Sequence, residues 1–137
     1  ISLLLICSLV LACQSTRKQN EELLMRKWKY DSEAIRSDLF QNPVSDRQVS
    51  YVEGVMERLQ DATLEFKPEG KLTLHLAGQD MPGYWELNNQ GDEITINLSG
   101  IPQTSVILEL TEDRLVMRQK DEPDLNFNRI MVPAGEE

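Results

Sequence analysis

From Ala62 onward the apolar and polar residues of this chain alternate with a period of two. Leu64 and Phe66 alternate with Glu65 and Lys67, and Leu72, Leu74 and Leu76 with Lys71, Thr73 and His75. Trp85 and Leu87 alternate with Tyr84 and Glu86, and Ile94, Ile96 and Leu98 with Thr95 and Asn97. Val106, Leu108 and Leu110 follow against Ile107 and Glu109, then Leu115 and Met117. Successive side chains of a strand point to opposite faces, so each run predicts a strand that is apolar on one side. Turn-forming residues separate the runs: Pro68-Glu69-Gly70, Asn88-Asn89-Gln90-Gly91-Asp92, Gly100-Ile101-Pro102 and Glu112-Asp113. A last strand over roughly 125–132 has Phe127 and Ile130 out of phase, which predicts a bulge near Asn128.

Upstream the period differs. Asn20 followed by Glu21 and Glu22 reads as an N-cap and an acidic first turn, which predicts a short helix. Lys27-Trp28-Lys29-Tyr30 then alternates as a first strand. Asn42-Pro43 is a break, and Ser45-Asp46-Arg47-Gln48 is a capping box, with Ser at the cap and Gln three residues on. After it Val49, Val52, Val55, Met56 and Leu59 recur at spacings of three and four, the stripe of an amphipathic helix over 45–60 that Gly54 weakens slightly. Residues 31–40 fit either a second short helix or a continuation of the first strand.

About eight strands joined by short turns predict a mainly β, antiparallel up-and-down meander that closes into a barrel. The helix at 45–60 would cap one open end. A two-sheet sandwich is the competing arrangement, but a Greek key needs at least one long return and the connections here are short.

The first thirteen residues follow a different logic. The apolar run Ile1-Ser2-Leu3-Leu4-Leu5-Ile6-Cys7-Ser8-Leu9 leads into Val10-Leu11-Ala12-Cys13 and then the polar Gln14-Ser15-Thr16-Arg17-Lys18-Gln19-Asn20. It falls short of the ~18 residues a spanning helix needs. It resembles the end of a bacterial lipoprotein signal, whose lipobox is an aliphatic, a variable and a small residue before cysteine. That resemblance implies cleavage between Ala12 and Cys13, lipid attachment at Cys13 and a bilayer partner. Gln14 rather than Asp at the next position resembles enteric lipoproteins sorted to the outer membrane, so the expected address is the periplasmic side of that membrane. Val10-Leu11-Ala12 also fits an ordinary signal cleavage site, which leaves Cys13 unexplained. The chain opens on Ile1 without an initiator Met or a basic n-region and so reads as lacking its first residues. The division is then 1–12 signal remnant, 13–20 lipidated flexible tether, 21–133 barrel domain and 134–137 tail.

Cysteine arithmetic agrees. Cys7 lies in the segment to be removed, so Cys13 is the only mature thiol, and neither an internal disulfide nor a thiolate metal site follows. Acylation would remove an unpaired thiol from an oxidising compartment.

With 23 Asp and Glu against 14 Lys and Arg, the net charge of −9 repels nucleic acid and anionic headgroups alike. No nucleophile elbow, phosphate loop or paired-histidine metal motif occurs. His75 falls on the outward face of its strand with Lys71 and Thr73. Asp121-Glu122-Pro123-Asp124 lacks the spacing and glycine of a calcium loop and reads as a solvated turn. The chain carries no catalytic constellation, cofactor motif or metal site, and the expectation is a non-enzyme.

Trp28 in the first strand, Phe66-Lys67-Pro68-Glu69-Gly70-Lys71-Leu72, Gly83-Tyr84-Trp85-Glu86-Leu87, Ile94-Thr95-Ile96 and Glu109-Leu110-Thr111-Glu112-Asp113-Arg114-Leu115-Val116 together resemble the small lipocalin-like lipoproteins of Gram-negative bacteria. The likeness covers roughly residues 22–132. The lipocalin signature opens on Gly-x-Trp; here Arg26 stands at the glycine position. A late-strand arginine often packs on that tryptophan in lipocalins, and Arg118 and Arg129 are the candidates. The resemblance implies a barrel that holds a small hydrophobic ligand, with Trp28, Phe66, Leu74, Trp85, Ile96, Leu108 and Met117 as lining residues. The alternation yields the same residues for a fully packed core, in which case the exposed strand faces and loops would serve an envelope protein partner.

Overall fold

A computed structural model describes residues 16–41, 45–120 and 127–135. Cys7, Cys13 and the turn at 121–124 lie outside the described residues. The chain runs from a helix over 16–24, α1, into β1 (Lys27–Tyr30), α2 (Ser32–Gln41) and α3 (Asp46–Arg58). Seven strands follow: β2 (Thr63–Lys67), β3 (Lys71–Leu76), β4 (Gln79–Leu87), β5 (Glu93–Leu98), β6 (Ile101–Leu110), β7 (Leu115–Gln119) and β8 (Arg129–Pro133). Each strand pairs antiparallel with its neighbours in sequence, and β8 returns to β1 with Tyr30 opposite Met131, so eight strands form a closed up-and-down barrel. Closure leaves no edge strand to template aggregation.

The alternation read from the sequence governs the wall. Trp28 opposes Leu64, Leu64 opposes Leu74, and Phe66 opposes Leu72, so one apolar face runs continuously inside the barrel. Trp28, Leu64, Phe66, Leu72, Leu74, Trp85, Leu87, Ile94, Leu115, Met117 and Met131 form one contiguous buried cluster. The phase breaks once, in β6. Register slips between Ile107 and Glu109, which inserts Leu108 as a bulge residue. Ile107 and Leu110 therefore face inward opposite Met117 and Leu115, while Leu108 is 52% exposed on the outside. This corrects the placement of Leu108 as a lining residue, and Val106, opposite Glu93 and Arg118, faces outward with it. The bulge expected near Asn128 is displaced to this strand; β8 begins only at Arg129.

Residues 31–41 resolve as a helix. The Asp31 carboxylate accepts a hydrogen bond from Ala34 N at 3.1 Å, a cap that starts α2 directly after β1. Ser45 Oγ accepts from Gln48 N at 3.2 Å and starts α3 as the capping box predicts. The two helices pack chiefly on the outer wall, and Leu59 at the end of α3 also packs on the barrel core beside Ala62. Ile35 and Leu39 of α2, with Val52, Val55 and Met56 of α3, form a second core with Val116, Phe127 and Ile130. Val116 and Ile130 are register partners on the face opposite Leu115 and Met131, so this layer covers the outside of β7 and β8. A sheet buried on both faces needs apolar residues at consecutive positions. Leu115-Val116-Met117 and Ile130-Met131 supply them.

The end that is closed is closed by α1. Leu24 is fully buried in the barrel core, and Trp28 Nε1 donates to Leu24 O at 3.0 Å. Asn20 Nδ2 donates to Gly91 O at 2.8 Å in the β4–β5 turn. A Cβ on Gly91 would stand 3.0 Å from Arg17 Cα, so the helix lies directly on that glycine. Residues 16–20, assigned to the tether from their polarity, are thus part of a plug.

Candidate functional site

On β3, β4, β5 and β7 the inward-facing residues become more exposed from the α1 end of the barrel toward the other end, whereas along β2 Phe66, Leu64 and the preceding Ala62 are all buried. On β5 Ile94 is fully buried, whereas Ile96 and Leu98 are half-buried. On β3 Leu72 is 1% exposed, Leu74 8%, and Leu76 half-buried. β4 runs the same way from Leu87 through Trp85 to Met81, and β7 from Leu115 through Met117 to Gln119. The lower half is packed solid around Trp28 and Phe66. Upper-half side chains Leu76, Met81, Ile96, Leu98 and Ile107 pack on that floor and are still in contact with solvent. The barrel is a shallow cup.

Of the expected lining set, Trp28, Phe66 and Met117 belong to the sealed floor, while Leu74, Trp85 and Ile96 mark the level where solvent begins to reach. The Phe66 and Trp85 rings meet edge to face at 5.5 Å, and Trp85 Nε1 donates to Lys67 O at 3.0 Å, which fixes the indole at that level. Leu108 has no part in the cup. The arginine over Trp28 is Arg26, with its guanidinium carbon 5.4 Å from the ring centroid, and neither Arg118 nor Arg129. Arg26 stands where the lipocalin signature has glycine, so the residue that departs from the pattern supplies the cation on the tryptophan.

Sequence reasoning missed the polar side of the cup. Arg129 opposes Met117 and lies two residues from Met131, both buried inside, so it also points inward. Gln119 and Ser105 are register partners on the same face, and Tyr30 opposes Met131 from β1. Arg129 Nη2 donates to Gln119 Oε1 at 3.2 Å, and its guanidinium carbon lies 4.8 Å from the Phe127 ring centroid. Tyr30, Arg129, Gln119 and Ser105 therefore line one side of the interior from β1 through β8 and β7 to β6. The signal lay in the sequence as Arg129 two residues before Met131. It was masked by the out-of-phase Phe127 and Ile130, which belong to the outer helical layer.

Burial pushes the Tyr30 phenol above its ordinary value, and the Arg129 cation opposes that rise. An unfolded tyrosine loses its proton near pH 10. The folded state holds that proton to higher pH, so the contribution of Tyr30 to stability is complete below about pH 10 and falls as the pH rises toward the folded value. Tyr30→Phe is therefore expected to flatten the loss of stability above about pH 10. Urea midpoints measured from pH 8 to 11 check this, and identical alkaline slopes for the two proteins would contradict it.

On the outer wall His75 lies between Asp80, through Nδ1, and Glu65, whose Oε2 is 3.4 Å from Nε2. Lys27 Nζ is 3.9 Å from the same Glu65 oxygen, so the histidine sits in a surface charge network, on the face its alternation predicts. No group of three or more His, Cys, Asp or Glu among the described residues is placed to hold a metal. A polar depression of about 610 Å³ lies between α2 and α3, where Arg36 Nε donates to Glu53 Oε1 at 2.9 Å. No helix among the described residues is long and apolar enough to cross a membrane.

A crystal structure of a DUF4847 family protein from Bacteroides vulgatus ATCC 8482 shares this fold. It aligns with 84% of this chain and 96% of its own length, at a TM-score of 0.51 and 11% sequence identity. At that identity the likeness is one of fold. No family model matches the sequence, and no curated protein matches it.

Proposed function

We propose that this protein is a lipid-anchored envelope protein that binds a small apolar molecule in the open half of its barrel. The observation that carries the binding reading is the gradient of burial along β3, β4, β5 and β7, a packed floor under half-exposed Leu, Ile and Met side chains of β3 to β6. A barrel that serves only as a scaffold gains by filling both ends, because each exposed apolar side chain forgoes about 25 cal/mol per Å² of burial.

The anchor rests on Val10-Leu11-Ala12-Cys13. Stable attachment takes more than one acyl chain, which the lipobox resemblance supplies. α1 is helical from residue 16 and lies across the closed end, and three residues reach at most about 10 Å. A lipid on Cys13 therefore holds the closed end against the bilayer and turns the mouth toward the aqueous side. Cys13→Ala in the full precursor is expected to move the folded protein from the membrane fraction to the soluble one. Unchanged membrane fractionation would defeat the anchor.

Binding is tested with the neutral apolar dye N-phenyl-1-naphthylamine. Saturable uptake is expected, with a change in Trp85 emission, and Leu98→Trp should weaken it about tenfold or more by filling the mouth. A protein that takes up no dye would sink the reading. A second reading has support in Tyr84 and Leu108, 67% and 52% exposed on the outer wall, where an envelope protein would dock. Native mass spectrometry of material from its own host separates the two, since the first requires a small molecule and the second a stoichiometric protein.

A further inference from the structure

The chain carries 23 acidic residues, yet the registers place none of them among the described inward-facing positions of the eight strands. On β2 to β5 the charged residues Glu65, Lys67, Lys71, Asp80, Glu86 and Glu93 all fall on the outer face. One ionised side chain faces inward, Arg129. Among the described residues no carboxylate lies within ion-pair distance of it; its partners are the neutral Gln119 oxygen and the Phe127 ring. Arg129 is half-buried, so its guanidinium keeps access to solvent while its stem lies along the apolar interior. Its five donors are fixed in a planar fork that suits a carboxylate, sulfate or phosphate oxygen pair, and a single bond to Gln119 leaves donors over.

The two sides of the cup differ accordingly. Leu76, Met81, Ile96 and Leu98 dominate the β3 to β5 side, with Gln79 opposite Leu76, and Tyr30, Arg129, Gln119 and Ser105 add hydrogen-bonding groups around one positive charge on β1 and β6 to β8, where Ile107 is also inward. We propose that the occupant of the cup is an anionic amphiphile, a short apolar body with one negatively charged head, whose head pairs with Arg129 while the body lies against Leu76, Met81, Ile96 and Leu98. This rests on the apolar-binding reading and specifies its ligand class. Tyr30 and Gln119 flank the guanidinium and orient the head by hydrogen bonding. Arg129 is then the residue that separates an acid from a neutral compound of the same length. The surrounding charge of −9 makes that selection local, because anions gain nothing from the surface as a whole.

Octanoate, octanol and octyltrimethylammonium share one apolar chain and differ in head charge. Titrated into the full-length mature protein carrying Cys13→Ser and followed by tryptophan emission, octanoate is expected to bind about tenfold or more tighter than octanol, with the ammonium weakest. Arg129→Met should bring octanoate and octanol to equal affinity, and Arg129→Lys should keep part of the preference. Raising the ionic strength from about 0.02 to about 0.5 M should weaken octanoate and leave octanol unchanged, a readout on the unmutated site that holds even if Arg129→Met fails to fold. Equal binding of octanoate and octanol, or a preference that survives Arg129→Met in a folded protein, overturns the anionic head and leaves the apolar cup standing. Failure of octanoate and octanol to bind at all overturns both.

Discussion

Trp28→Ala is expected to remove about 4 kcal/mol of stability, enough to lower the melting temperature of a domain this size by on the order of 15 °C. The indole is fully buried and sits where three elements meet: β2 through Leu64, β8 through Pro133, and α1 through Leu24. Truncation leaves a cavity in the floor of the barrel and deprives Leu24 O of its donor. It also removes the ring under Arg26, whose Nη1 donates to Glu112 O at 2.8 Å across the closed end. Trp28→Phe separates the contributions. It keeps most of the hydrocarbon and loses the indole N–H, so it should cost about 1–3 kcal/mol for the carbonyl left unsatisfied. Urea unfolding of the three proteins checks the order. A loss below about 1 kcal/mol for Trp28→Ala would mean that the floor can collapse around the missing ring.

Gly83→Ala is expected to cost about 3 kcal/mol, far beyond an ordinary strand substitution. Gly83 faces inward on β4 opposite Leu98, in an extended segment where glycine itself is unfavourable. What requires it is the neighbouring strand. A Cβ there would stand 2.4 Å from the backbone oxygen of Asn97 and 2.8 Å from Leu98 Cδ2. The leucine can rotate away, but the carbonyl belongs to the β4–β5 ladder and moves only if the strands separate. Loss of amide protection is therefore expected first in β4 and β5. Gly54→Ala in α3 is the internal control: nothing lies within 4 Å of its Cβ position, and relief of a helix glycine should add about 0.5–1 kcal/mol. Equal effects at the two glycines would show that close approach has no part in the first.

Both predictions depend on contacts between distant parts of the chain, which bears on how much of this protein is legible in its residues. Period-two alternation from Leu64 to Leu98 translated directly into wall and interior, because a strand can bury one face only by placing apolar residues at every second position. The α3 cap at Ser45 and the stripe through Val52, Val55 and Met56 were local facts and became local structure. In β6 the reading failed at Leu108. The segment Val106-Ile107-Leu108 is apolar at every position, so alternation cannot say which residue is inward, and a bulge chosen by the register with β7 decided it. The same ambiguity hid Arg129 behind Phe127 and Ile130, two residues whose apolar partners are on the helices.

The sequence by itself determined an antiparallel meander of short strands and the amphipathic α3, since each follows from neighbours a few residues apart. Which end of the barrel is sealed was decided by tertiary structure alone. Residues 16–20 are polar and carry no apolar period, and they become part of a plug only because Leu24 enters the core while Asn20 and Arg17 settle on Gly91, some seventy positions away. The outward placement of α2 and α3 was decided in the same way, by Val116 and Ile130 meeting across β7 and β8. A helix stripe states that a face will be buried and not against what. The candidate site is the product of those two choices: α1 lies over one end and the helical layer on the outer wall, and toward the opposite end Leu76, Met81, Ile96 and Leu98 are half-buried beside Arg129.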